Sequence, residues 1–344
     1  MKATFNLFDF SQRVNYKTEI LAGLTVAMTM IPESLSFAIL AGFPPLVGLY
    51  GAFIMGLVTA IFGGRPGLIS GGAGATVIVL IALMKSHGIE YVFGAIALAG
   101  VIQIMVGLLK LGKFIRLVPQ PVMFGFVNGL AVVIFMSQFE QFKTIVNGET
   151  EWLTGTPMLI MSGLTLLTIS IVRFFPKISK AVPASLAAII IVFGVVLFLD
   201  IDTKQVKDIA SISGSLPPFH IPDFPLNWET FQIIFPFGVI MAAVGLTEGL
   251  LTLNLVDEIT GTKGNSNREC VAQGSANILN GFFMGMGGCP MIAQTLVNLS
   301  AGSRARLSGI VAALTTLVTI LFGAPVIELL PMAALTGVMI MVAI

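Results

Sequence analysis

The chain has 344 residues, 56% hydrophobic and only 10% charged, with a formal net charge of +1. A soluble domain carries about 25% charged residues, so this deficit excludes an ordinary globular protein and indicates an integral membrane one. The near-zero balance leaves no footprint for nucleic acid. Cys270 and Cys289 form no disulfide framework. His87 and His220 lack metal-ligand spacing, so no metal and no cofactor is expected.

Residues 1–19 mix polar and aromatic side chains, including Asp9, Arg13 and Lys17, without the apolar run and cleavage site of a signal peptide. They read as a cytoplasmic, surface-lying segment. Apolar runs bounded by turn signals then predict segments near 20–41, 46–63, 68–84, 91–109, 121–139, 155–172, 181–199, 231–254, 269–284, 289–300, 307–323 and 326–344. Segments 68–84 and 289–300 are too broken by glycine to be full spans. Each reads as an extended stretch followed by a half-helix, starting near Ala75 and near Met291. Bare backbone at membrane depth is tolerated only where it is buried in protein or lines a cavity.

With the N-terminus in the cytoplasm, all but four of the 18 Lys and Arg residues fall inside. Only Lys85, Lys143, Lys204 and Lys207 fall outside, which supports both the orientation and the span count. The inside set includes Arg65, Arg116, Lys180, Arg268, Arg304 and Arg306. Arg304 and Arg306 read as topology anchors, with a lesser part in drawing anions from the cytoplasm. The loop at 201–230, with Asp200 before it, carries Asp202, Asp208, Asp223, Glu229 and several prolines. It reads as a solvated extracytoplasmic loop. Residues 20–200 thus hold seven spans, and 231–344 match the first five of a second half. An odd-numbered repeat makes the second half inverted.

Two glutamates lie inside these apolar segments: Glu33 in the first and Glu248 in the eighth. A charged side chain at the bilayer centre costs roughly 2.5–3.5 kcal/mol even on lenient scales, and intramembrane ionisable residues point to function. About forty residues after each comes one of the glycine-broken segments, GLISGGAGATVIVLIAL and GMGGCPMIAQTLVNLSAG. Such interrupted segments at matching places in two halves point to a transporter's binding site. A helix start presents unpaired N–H groups and about half a positive charge. Two half-helices meeting start to start would hold an anion without lysine or arginine, and neither segment contains one. Small-residue packing alone would also account for the glycines. A glutamate beside an anion must be neutral or carry the coupling cation, either a proton or sodium. Thr252, one turn after Glu248, offers sodium an oxygen. Phe37, one turn after Glu33, projects on the same face, as a cavity wall or as ordinary packing.

The residues IPESLSFAILAGFPPLVGLYGAF, FGGRPGLISGGAGAT and NSNRECVAQGSANILNGFFMGMGGCPMIAQTLVNLSAGSRARLSGI resemble the first-span, third-span and ninth-to-eleventh-span signatures of the sulfate permease family. That family includes cyanobacterial bicarbonate transporters and the animal solute carrier 26 proteins. The resemblance runs along essentially the whole chain. It implies an all-α membrane protein of the seven-plus-seven inverted-repeat type with discontinuous third and tenth spans. A core domain would comprise 20–111 (spans 1–4) and 231–323 (spans 8–11). A gate domain would comprise 112–200 (spans 5–7) and 324–344 (span 12, incomplete). Spans 13 and 14 and the common C-terminal STAS domain are absent from this chain, which then reads as part of a longer protein or a truncated product.

The resemblance further implies elevator-type motion, a homodimer in the inner (plasma) membrane, and a small inorganic anion as substrate. It places Phe37, Gly74, Ala75, Thr76, Met291, Ile292, Ala293 and Gln294 at the substrate, and Glu248, Glu33 and Thr252 at the coupling ion. Ile292 stands where sodium-coupled members have a threonine oxygen, and Gln294 where motor-type animal members have an arginine. Proton-coupled anion transport is therefore expected, with Glu248 coupling and Glu33 modulating through local backbone bonds. The alternatives are sodium-coupled bicarbonate transport and, more remotely, nucleobase transport. No enzyme chemistry is indicated, since neither a nucleophile–base pair nor a metal cluster is spaced for it.

Overall fold

A computed structural model describes residues 15–113, 120–146, 149–177, 183–208, 214–225 and 227–344. The expected surface segment up to residue 14, Arg116 and Lys180 lie outside the described residues. The elements run α1 (Tyr16–Leu40), α2 (Pro45–Phe62), β1 (Ser70–Gly71), α3 (Gly74–His87), α4 (Ile89–Leu108) and α5 (Gln120–Ser137). Next come β2 (Lys143–Val146), β3 (Glu149–Trp152), α6 (Thr156–Phe174), α7 (Ala184–Phe198), α8 (Trp228–Thr260) and α9 (Ser266–Phe282). β4 (Cys289–Pro290), α10 (Ile292–Ser300), α11 (Leu307–Phe322), α12 (Ala324–Glu328) and α13 (Met332–Ala343) complete the chain.

Local chemistry sets these boundaries. Asn15, Asn227 and Asn265 cap α1, α8 and α9, each side-chain oxygen accepting from a main-chain N–H three residues on. Pro45 opens α2, where its missing N–H costs nothing. Gly261 closes α8 in the left-handed region at φ 67°. α1, α2, α4, α8 and the extended α6 are long and apolar enough to cross a bilayer. α8 has 33 residues and spans roughly 50 Å.

Two helix groups pack against each other. One joins α1, α2, α3, α4, α8, α9, α10 and α11; the other joins α5, α6, α7 and α13. The first has a core that includes Phe43, Leu80, Phe93, Ile96, Met241 and Met286. The second buries Met161, Leu164, Val192 and Leu335 together with Leu35 and Leu49, so α1 and α2 also contribute to the boundary.

The structure departs from the sequence expectations in four places. Segment 326–344 is two helices, because Pro331 lacks an N–H and turns Leu330 away from helical backbone. The break is bonded instead to the loop before α8: Val206 N–H donates to Leu330 O at 3.1 Å, and Met332 N–H to Lys204 O at 2.8 Å. A hairpin, β2 with β3, fills the stretch between α5 and α6. Segment 231–254 extends at both ends into α8. The loop at 201–230 is more than a solvated connection. Tyr50 donates to Ser215 O at 3.0 Å, Phe224 lies against Gly94, and His220 Nε2 meets Glu90 Oε2 at 2.8 Å.

Candidate functional site

α3 and α10 both begin inside the protein, each from a two-residue strand. β1 and β4 pair antiparallel, with Ser70 opposite Pro290 and Gly71 opposite Cys289. The pairing satisfies backbone groups that have no helix to join. A side chain at Gly288 would run into the Gly71 main chain, so only glycine permits these strands to lie side by side. The half-helices start at Gly74 and Ile292, within a residue of the expected Ala75 and Met291.

The second half of the chain also holds the first strand in place. Met291 N–H donates to Ile69 O at 2.9 Å. Ile69 N–H donates to Thr295 Oγ1 at 3.1 Å, and Asn298 Nδ2 to Gly67 O at 2.9 Å. Neither half-helix has a side-chain cap, since Ala73 and Met291 occupy the capping positions. Their first-turn N–H groups therefore keep their donor capacity, unlike those of the asparagine-capped α1, α8 and α9.

Gly74, Ala75 and Thr76 are all buried, with the Thr76 hydroxyl donating to Ala73 O at 2.9 Å. Phe37 is buried, and its ring lies where a Gly74 side chain would be. It thus walls the start of α3. Met291 and Gln294 face inward, whereas Ile292 is half-buried and Ala293 is exposed.

The glutamates differ from expectation in their partners. Glu33 Oε2 accepts from Gln294 Nε2, across from α1 to α10, rather than engaging local backbone. Glu248 Oε2 accepts from the Cys289 thiol at 3.1 Å. Thr252 Oγ1 does not meet the Glu248 carboxylate. It donates to the Glu248 main-chain oxygen at 2.8 Å and lies 3.5 Å from Pro290 O, the back-bonding habit of helical threonine. Cys289 escaped the sequence reading because a lone buried cysteine resembles any small core residue.

At the ends of these helices expected to face the cytoplasm, charged side chains join the turns. Glu19 accepts from Ser303 Oγ and from the N–H groups of Arg304, Ala305 and Ser308. Glu269 accepts from Gly64 N–H at 2.7 Å. Arg306 donates to Ala60 O and Gly63 O, and Arg304 to Leu299 O and Ser303 O. Both arginines therefore cap helix ends, a more specific task than topology anchoring. Arg65 pairs with Asp257 at 3.3 Å and donates to Thr260 and Thr262. Burial lowers its guanidinium pKa from the usual value, and Asp257 opposes that shift.

The arrangement offers uncapped helix starts and two half-buried carboxyls, without a lysine or arginine in the first turn of either half-helix. Residues 16–344 match the family described as "Sulfate permease family". The chain is 42% identical over 330 residues to "Putative sulfate transporter YbaR" of Bacillus subtilis, covering 96% of this chain and 66% of that protein. It is 32% identical to "Bicarbonate transporter BicA" of a Picosynechococcus species, covering 94% of this chain and 60% of that one. It thus spans about two thirds or less of the length of these relatives. The solved transmembrane domain of a cyanobacterial BicA superposes with a TM-score of 0.84 at 29% identity, covering 96% of this chain and 89% of that domain. These relatives are transporters rather than enzymes, and the helical fold is that of a multi-pass integral membrane protein.

Proposed function

Because this chain belongs to the sulfate permease family, we propose that it serves secondary active transport of a small inorganic anion of the sulfate or bicarbonate class. The observation that carries this reading is the pair of uncapped, buried helix starts, Gly74–Thr76 and Met291–Gln294, brought together by the β1–β4 pairing. An anion between them would take hydrogen bonds from main-chain N–H groups and the favourable end of two helix dipoles. The names of the Bacillus and Picosynechococcus relatives support the substrate class.

Coupling is to protons, with Glu248 as the carrier. Its carboxyl, half-buried and held by a neutral thiol, gains or loses a proton without a fixed cation opposing it. Alternating access follows from sliding a core body, 20–111 with 231–323, against a gate body, 112–200 with 324–344. The observed division into two packed groups supports that assignment. The protein resides in the inner (plasma) membrane as a homodimer, with its N-terminus in the cytoplasm and 201–230 outside.

A second reading is bicarbonate uptake coupled to sodium; the likeness to BicA favours its substrate. Sodium coupling is opposed by Ile292 at the start of α10, whose apolar side chain offers a cation no oxygen. Proteoliposome uptake of sulfate and of bicarbonate, with and without proton or sodium gradients, decides. Uptake driven by a proton gradient supports the proposal. Accumulation that ignores protons but needs sodium moves the assignment to the second reading. Uptake of neither anion refutes both.

A further inference from the structure

Behind the half-helix starts lies a cluster of amides: Gln103 on α4 with Gln273 and Asn277 on α9, each no more than 1% exposed. Asn277 grips both main-chain groups of Gly288, as a neighbouring strand would. Its Oδ1 accepts the Gly288 N–H at 2.9 Å, and its Nδ2 donates to Gly288 O at 3.1 Å. Gly288 immediately precedes β4, so this grip sets the position of the strand that carries Cys289 and leads into α10.

The bonding also fixes the direction of the neighbouring amide. A main-chain N–H can only donate, so the Gly288 contact identifies the oxygen end of Asn277. Asn277 Nδ2 then donates to Gln103 Oε1 at 2.9 Å, which leaves Gln103 Nε2 facing the other way. There it converges with Gln273 Nε2 on Gly245 of α8. A Cβ at Gly245 would lie 3.0 Å from Gln103 Nε2, 2.8 Å from Gln273 Nε2 and 3.4 Å from Thr76 Cγ2. Neither nitrogen has a hydrogen-bond partner among the described residues. Gln103 Nε2 is thus held as a donor beside the first turn of α3, with the Gln273 amide next to it, one helical turn before Glu248.

We propose that Asn277, with Gln103 and Gln273, is a positioning set for anion binding. Asn277 fixes the approach to α10 and, through Gln103, aims amide dipoles toward the start of α3. Preorganised donors of this kind favour negative charge because they need no reorganisation when it arrives. The inference rests on the anion-transport reading.

The test is uptake of sulfate and of bicarbonate by proteoliposomes carrying wild type, Asn277→Ala or Gln103→Met, with folding checked by gel filtration. Asn277→Ala should raise the half-saturation concentration roughly tenfold while largely keeping the maximal rate, the signature of lost binding common to all states. Gln103→Met leaves the Gly288 grip intact but removes the Oε1 acceptor, and should raise it roughly threefold. Unchanged half-saturation in both variants, with or without a fall in maximal rate, overturns the inference and leaves these amides a purely structural part. Should Asn277→Ala fail to fold, the Gln103→Met arm decides by the same criterion. Wild type that takes up neither anion overturns the anion reading, and this inference with it. Wild-type uptake with unaffected variants overturns the inference alone.

Discussion

Removing the Glu19 carboxylate should loosen the turn between α10 and α11 by a calculable amount. Glu19 is 3% exposed and accepts four hydrogen bonds: from Ser303 Oγ at 3.0 Å and from the N–H groups of Arg304, Ala305 and Ser308 at 2.7, 3.0 and 3.1 Å. In Glu19→Ala the first two N–H groups lie near the surface and regain water. Ser303 keeps its 2.8 Å contact with Ser308 Oγ. The buried Ser308 N–H loses its acceptor outright. A lost charge-assisted bond costs about 1.5–3 kcal/mol and an orphaned buried donor about 1–3 kcal/mol, so with partial rehydration the net loss is about 3 kcal/mol. With an unfolding entropy of about 2.1 cal/mol/K per residue, this lowers the melting temperature by about 4 °C. Fluorescence-detected thermal unfolding in detergent measures it directly. A transition that coincides with wild type would show that solvent replaces the carboxylate fully, and that these bonds do not anchor α10.

Gly288→Ala should abolish the folded yield, because its Cβ would overlap the Gly71 main chain, whereas Gly163→Ala, with open space around it, should behave as wild type in gel filtration. Gly74→Ala would drive a methyl into the Phe37 ring and should cut anion uptake by roughly tenfold, with Phe37→Leu restoring part of it in the double variant. Glu248→Gln should abolish proton-driven accumulation while leaving anion exchange measurable in preloaded proteoliposomes. Glu33→Gln should keep coupled uptake with altered half-saturation, since glutamine can still bond Gln294.

The parts legible in the sequence were those with a repeating or compositional signature. Apolar runs located most of the spans to within a few residues, and clustered glycines located both half-helix starts, because few other residues permit such backbone at membrane depth. What stayed hidden was set by partners distant in sequence. Nothing around Glu19 distinguishes a carboxylate that holds a turn nearly three hundred residues away from an ordinary acid in a first helical turn. The Glu33–Gln294 and Glu248–Cys289 contacts likewise depend on where the second half folds back. Pro331 was visible, but a single proline in an apolar run marks either a kink or a break. Its bonding to residues 204–206 made it a break.

The contacts of the two glutamates are unequal in a way that bears on their roles. Glu33 reaches from α1 to Gln294 in the second half of the chain, so its carboxyl also joins the wall of α1 to the first turn of α10. A group that supports the site in this manner must keep its bond throughout the cycle, and an amide serves as well as an acid. Glu248 stays within the second half. Its only hydrogen-bonded side-chain partner among the described residues is a thiol, a weak donor that supplies little to compensate a half-buried charge. Gly245 and Gly249 lie on the same stretch of α8, each with a Gln273 amide atom about 3 Å from where a Cβ would stand, so the helix surface beside this carboxyl is polar but uncharged. A carboxyl so placed changes its charge without breaking a structural bond. If transport is proton-coupled as proposed, that freedom, more than its depth in the span, suits Glu248 rather than Glu33 to carry the proton.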